Sequence, residues 1–244
     1  MRYDTRYRYT GFNYSSYFPA GVKWLLISNT AIFVFFFLFP GPINAWFSLV
    51  PYAVLERFEI WRLVTYMFLH GGFQHIIFNM LTLWMFGMTL EQDWGTRRFL
   101  KYYFFCGVGA GLCDIAIKAI SGNMGQGTIG ASGAIYGLLL AFGVLYPNQT
   151  VLFSFLFPIK AKYFVLILGS IDFLIALGSA NSGVANVAHL GGMLFGYLYL
   201  RARFMRLDTG DLRRRYQAWK IQRAKRKFQV YMRKHGSDRD PWVH

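Results

Sequence analysis

The chain has 244 residues, of which 55 % are apolar and 20 % aromatic, while only 15 % are charged, against about 25 % in soluble globular domains. That balance excludes an ordinary soluble domain and describes a membrane protein. The net charge of +15 is concentrated in the C-terminal tail and asks for an acidic partner there.

Apolar stretches run at Trp24–Phe39, Leu63–Leu90, Phe99–Ile120, Ser132–Tyr146, Tyr163–Leu177 and Val187–Phe204. Several reach or approach the ~20 residues a helix needs to cross the hydrocarbon core. The sequence predicts an all-α membrane protein with six spans in one domain, 22–204, between an N-terminal segment, 1–21, and a basic tail, 205–244. The first span ends at Pro40-Gly41-Pro42 with no A-x-A-type site, which argues against a cleaved signal peptide. An even number of spans puts both termini on one side. The opposite side then carries only Arg57, Arg62 and Lys118 of the 26 basic residues, and even without the tail from Arg201 the ratio is nine to three. The positive-inside rule therefore places both termini in the cytoplasm.

The outer loop Gly41–Arg62 mixes Trp, Phe, Tyr and Leu with scattered charges. It is expected to lie half-embedded in the interface, either bordering a functional cavity or serving as an aromatic anchor. The second span carries His75 and Asn79, four residues apart and so on one helical face. Both can donate hydrogen bonds, to an oxyanion or to a neighbouring helix as a polar clamp. In the third span, Asp114 and Lys118 have the spacing of an i,i+4 ion pair. Cys106 and Cys113 read there as free thiols.

The fourth span opens at Ser132, directly after the glycine-rich "SGNMGQGTIGA". Its 15 residues, Ser132–Tyr146, make about 22 Å of helix, short of the ~30 Å core. If it reaches the inner interface, its N-terminus lies below the outer surface, where unpaired N–H groups are tolerable only in protein or a wet cavity. Ser132 at that floor is a helix cap or a nucleophile. The fifth span carries Asp172, to which no partner can be assigned, and a structural role is expected of it and of Asp114. His189 stands near the outer start of the sixth span, at a depth similar to that of Ser132. Gly133 and Gly137 follow the serine, and Gly192 and Gly196 follow the histidine. Two such faces of small residues let helix backbones approach closely and would bring Ser132 to His189. Three histidines, His70, His75 and His189, without a nearby carboxylate or thiol on the outer face make a poor metal-ligand set. In the tail, Leu212, Tyr216, Trp219, Phe228 and Tyr231 among the basic residues read as an amphipathic helix on anionic cytoplasmic lipid, in preference to a nucleic-acid site.

Trp61-Arg62, "HGGFQHIIFN" from His70 to Asn79, "GASG" from Gly130 to Gly133 and "AHLGGMLFG" from Ala188 to Gly196 together resemble the rhomboid family of intramembrane serine proteases. The resemblance covers roughly Gly21 to Arg203. It implies a six-helix bundle with an embedded first outer loop and a short fourth helix starting at the nucleophile, Ser132, with His189 as general base and no third acid. It further implies that His75, Asn79 and the Ser132 backbone N–H stabilise the oxyanion, that the Tyr136 ring supports His189, and that Trp61 and Arg62 anchor the loop. Gly130, Gly133, Gly192 and Gly196 belong to the two motifs, and neither cofactor nor metal is implied. Substrates would be other membrane proteins, cut near the outer end of a span with small residues and a weak helix. The length and N-terminus favour a bacterial inner membrane. The rival reading is a rhomboid-fold protein that binds client spans without cutting them; such members usually lack the serine or the histidine, and this chain keeps both. A channel or transporter fits less well, because the polar residues cluster near one face.

Overall fold

The computed structural model describes residues 18–39, 41, 46–153, 157–178 and 186–202, together with 217, 219–221, 223 and 225. The chain forms two compact units, Met1–Tyr197 and Leu198–His244. In the second unit the described residues are helical, and the Arg223 guanidinium lies 5.3 Å from the centre of the Trp219 ring. Leu212, Tyr216, Phe228 and Tyr231 of the expected tail helix, and most of the N-terminal segment, lie outside the described residues.

Helix α1 spans Ala20–Leu38 and buries Gly21, Val22, Leu25, Asn29 and Phe33 along one face. Its other faces leave Trp24, Val34, Phe35, Phe37 and Leu38 exposed, an apolar surface that water would not tolerate and lipid would. No residue of its own caps it. Instead the Gly21 and Val22 N–H groups each donate to the buried Glu91 carboxylate at 2.7 Å. Orphan donors at the positive end of a helix are thereby satisfied by a charge from another helix.

The outer-loop region carries two short helices, α2 (Pro51–Glu56) and α3 (Arg62–Thr65), followed by a 3₁₀ turn, Tyr66–Phe68. The buried Arg62 holds it together, donating through Nε to Glu59 at 2.5 Å and through Nη1 to the Ser48 carbonyl at 2.6 Å. The sequence predicts one continuous second span from Leu63; in the structure the chain is extended at Leu69 and helix α4 begins only at Phe73, running to Trp94. Gly71 and Gly72 account for the break, since neither favours helix. The expected inner turn from Glu91 to Arg98 shrinks to one residue, Gly95, whose φ of +76° is left-handed backbone that glycine adopts without penalty. Helix α5, Thr96–Ile120, follows at once.

Helix α6, Ser132–Leu145, packs against α4, α5 and a later helix, α7, and buries nine of its fourteen residues. Between α6 and α7 the all-α expectation is modified by an antiparallel hairpin, β1 (Thr150–Phe153) and β2 (Phe157–Lys160), with Val151 paired to Ile159. Helix α7 covers Ala161–Gly178, and α8 is helical over residues 186–202. Each of the apolar stretches read from the sequence thus carries a helix. By length and composition α1, α4 and α5 can cross a membrane, and α6 is a shorter apolar helix.

Candidate active site

Ala131 occupies the N-cap of α6, so Ser132 is the first helical residue. Its hydroxyl is not spent on the helix end: Ser132 Oγ lies 2.8 Å from His189 Nε2. A capping oxygen would instead face the backbone N–H groups one turn on.

The His189 ring is held on its other sides as well. It stacks on the Tyr136 ring with centroids 4.1 Å apart and planes 8° from parallel; Tyr136 is one turn beyond Ser132 on α6. His189 Nδ1 lies 3.4 Å from Asp172 Oδ1, and that same oxygen accepts a hydrogen bond from Asn186 Nδ2 at 2.6 Å. Asp172 is 5 % exposed. The acid without an assigned partner in the sequence thus lies against the histidine.

Glycines let the two helices meet. A Cβ on Gly192 would collide with the Gly133 carbonyl, one on Gly137 would come 3.2 Å from the Gly192 carbonyl oxygen, and one on Gly196 would come 3.4 Å from Gly137 Cα. Backbone faces backbone along this seam, with Ser132 and His189 at one end of it.

The α4 residues approach from a third direction. His75 Nδ1 accepts the Gly71 N–H at 3.4 Å, which leaves the proton on Nε2. That nitrogen faces Gly130: a Cβ there would sit 2.7 Å from His75 Nε2 and 3.6 Å from Ser132 Oγ. Glycine puts no atom at that position, and its φ of +127° is a conformation hostile to L side chains. Asn79 is buried, and among the described residues its Nδ2 has no hydrogen-bond partner. Such a donor is costly unless something is to fill it.

The loop before Ser132 is fixed by its flanks. Gly130 N–H donates to the Tyr66 carbonyl at 2.9 Å, and Thr128 exchanges backbone hydrogen bonds with Leu49. Lys118, wholly buried, donates to Asp114 at 2.9 Å, to the Gln126 carbonyl at 2.9 Å and to Thr128 Oγ1 at 2.5 Å. The expected Asp114–Lys118 pair is therefore also the anchor of this loop. Trp61 and Arg62 are not at the serine: Trp61 Nε1 donates to the Trp46 carbonyl at 3.3 Å, within the α2–α3 region. Cys106 and Cys113 are free thiols, and among the described residues no three His, Cys, Asp or Glu side chains are grouped to hold a metal.

Sequence reasoning placed no function on Asp172 or Asn186. The available signal was an ionisable residue within a span, which is expensive and tends to be functional, and an Asn three residues before His189, on the same helical face.

The rhomboid domain family model matches residues 57–206. RHOMBOID-like protein 5 of Arabidopsis thaliana is 32 % identical over 166 residues, which cover 67 % of this chain and 50 % of that protein. The Putative rhomboid protease YdcA of Bacillus subtilis is 29 % identical over 181 residues, 72 % of this chain and 85 % of the relative. Rhomboid protease GluP of the same organism is 32 % identical over 145 residues, 59 % of this chain and 26 % of the relative. The chain thus spans half or less of two of these relatives and most of the third.

Proposed function

Because the chain belongs to the rhomboid family and its helices and family make it an integral membrane protein, we propose that it is an intramembrane serine protease acting through Ser132 and His189. The observation that carries this reading is the 2.8 Å contact between Ser132 Oγ and His189 Nε2, since nucleophile and base must share a hydrogen bond.

The steps follow from the geometry. Neutral His189 takes the Ser132 proton at Nε2 as Oγ attacks a peptide carbonyl carbon. The carbonyl oxygen becomes an oxyanion, received by His75 Nε2–H, Asn79 Nδ2 and the Ser132 backbone N–H. The space a Gly130 side chain would fill is where that oxygen is to stand. Collapse of the intermediate expels the amine, which leaves with the proton from His189. Water then attacks the acyl ester, giving its proton to His189, and Ser132 is regenerated.

Substrates are transmembrane segments of other proteins, since a site among apolar helices meets peptide bonds inside the membrane; a stable helix hides its carbonyls, so small, helix-weakening residues favour cleavage. The chain crosses the membrane with six helices and both termini in the cytoplasm, by the charge bias of its loops, in a bacterial inner membrane, and its basic tail rests on anionic lipid. The direct test reconstitutes the chain in liposomes with a tagged single-span protein carrying Gly and Ser in the outer part of its span. Cleavage by wild type that is lost in Ser132→Ala supports the reading. Binding of the span without cleavage moves the chain to the client-binding class.

A further inference from the structure

Asp172 is buried, ionisable and apart from the serine, on a helix that supplies neither nucleophile nor base. Its Oδ1 is shared between Asn186 Nδ2, at 2.6 Å, and His189 Nδ1, at 3.4 Å. Asn186 precedes His189 by one turn on α8, so the two side chains that face the carboxylate lie on one helical face. The Tyr136 ring stacks on the imidazole. Each ring nitrogen of His189 thus has its own neighbour: the serine hydroxyl at Nε2 and a carboxylate at Nδ1.

Resting on the protease reading above, we propose that Asp172 is a positioning residue for His189, a carboxylate that orients the base of the Ser132–His189 pair. A carboxylate at Nδ1 holds the proton on that nitrogen and leaves the Nε2 lone pair for Ser132. It also stabilises the imidazolium formed when His189 takes the serine proton, while Asp172 itself stays ionised. Asn186 holds the carboxylate through a hydrogen bond to the same Oδ1. The contact at 3.4 Å is long for a hydrogen bond, as such contacts often are before substrate tightens the site.

The test is the rate at which a fluorophosphonate labels Ser132 in the detergent-purified full chain, followed across pH for wild type and Asp172→Asn. The groups facing His189 are Ser132 and Tyr136 from α6, His75 from α4 and Asp172 from α7. Asp172 is the carboxylate among them. Removing its charge moves the acidic limb of the profile and slows labelling at the plateau by about ten- to a thousandfold, less than the ~10⁴-fold seen when the acid of a serine-protease triad is amidated. Labelling of the folded variant at the wild-type rate with an unmoved acidic limb overturns the proposal. A second measurement does not depend on how the variant folds: the nitrogen shifts of His189 in wild type, assigned by their loss in His189→Ala. A protonated Nδ1 with a low-field proton supports the positioning role, and a protonated Nε2 at neutral pH overturns it. Wild type that takes no label at all removes the protease reading, and this inference with it, a result distinct from equal labelling of the two proteins.

Discussion

Replacing Gly192 by Ala tests whether the backbone seam between α6 and α8 sets the site. The added methyl would overlap the Gly133 carbonyl group, and both atoms it meets first are main chain. No side chain can rotate away, so α8 must shift from α6. Overpacking of this kind costs about 1–3 kcal/mol, and the gain in helix propensity from Gly to Ala returns up to ~1 kcal/mol. The net loss is about 2 kcal/mol at the upper end. The functional effect is larger than the thermodynamic one, because Ser132 and Gly133 adjoin in sequence and the 2.8 Å contact to His189 stretches with the seam. A displacement of ~1 Å passes the ~3.5 Å limit of a hydrogen bond and can cost about 100-fold in rate. The assay is fluorophosphonate labelling of folded protein beside thermal melting in detergent. Gly169→Ala is the control, since its methyl would meet the flexible Met193 side chain at 3.3 Å, and it should melt and label like wild type. Wild-type labelling and melting in Gly192→Ala would refute the argument.

Asn79→Ala should lower the labelling rate by ~100- to 1000-fold, the value of one oxyanion donor, with little change in melting, because Asn79 Nδ2 has no partner to lose among the described residues; a destabilised but normally reactive variant would contradict this. Gly130→Ala places a methyl 2.7 Å from His75 Nε2 on a backbone with φ +127°; it should cost about 1–3 kcal/mol and abolish cleavage in the liposome assay. Glu91→Gln removes the charge from the bonds to Gly21 and Val22. As charged hydrogen bonds contribute ~1.5–3 kcal/mol each, it should lower the melting temperature while leaving labelling of the folded protein unchanged. Lys118→Met strands the buried Asp114 and should destabilise by about 3–5 kcal/mol, which the double variant with Asp114→Leu restores in part.

Helix positions were legible in the sequence because an apolar run of helical length has few other outcomes. The start of α6 could be read from the glycine-rich stretch before Ser132 and the short run after it. The break at Gly71-Gly72 was less visible, since apolar residues continue on both sides and a hydropathy reading joins them. The hairpin at Thr150–Lys160 escaped for a related reason: two four-residue strands are too short for period-two alternation to stand out. At the site, Ser132 and His189 could be paired because glycines four apart announce close helices, and the structure sets those glycines face to face. Asp172 could not be placed, because nothing in a sequence tells how α7 turns about its axis relative to α8, and that rotation alone brings the carboxylate to His189. Likewise the spacing of Asp114 and Lys118 suggested a pair, while the reach of Lys118 to the Gln126 carbonyl and Thr128 is a tertiary fact.

The central claim is an activated serine that depends on His189, and intact-mass analysis of the detergent-purified chain after fluorophosphonate treatment tests it without knowledge of the substrate. The account predicts a single adduct on wild type and none on Ser132→Ala or His189→Ala. Well-folded wild type that takes no adduct, from this reagent or from a smaller serine-reactive inhibitor, would contradict it.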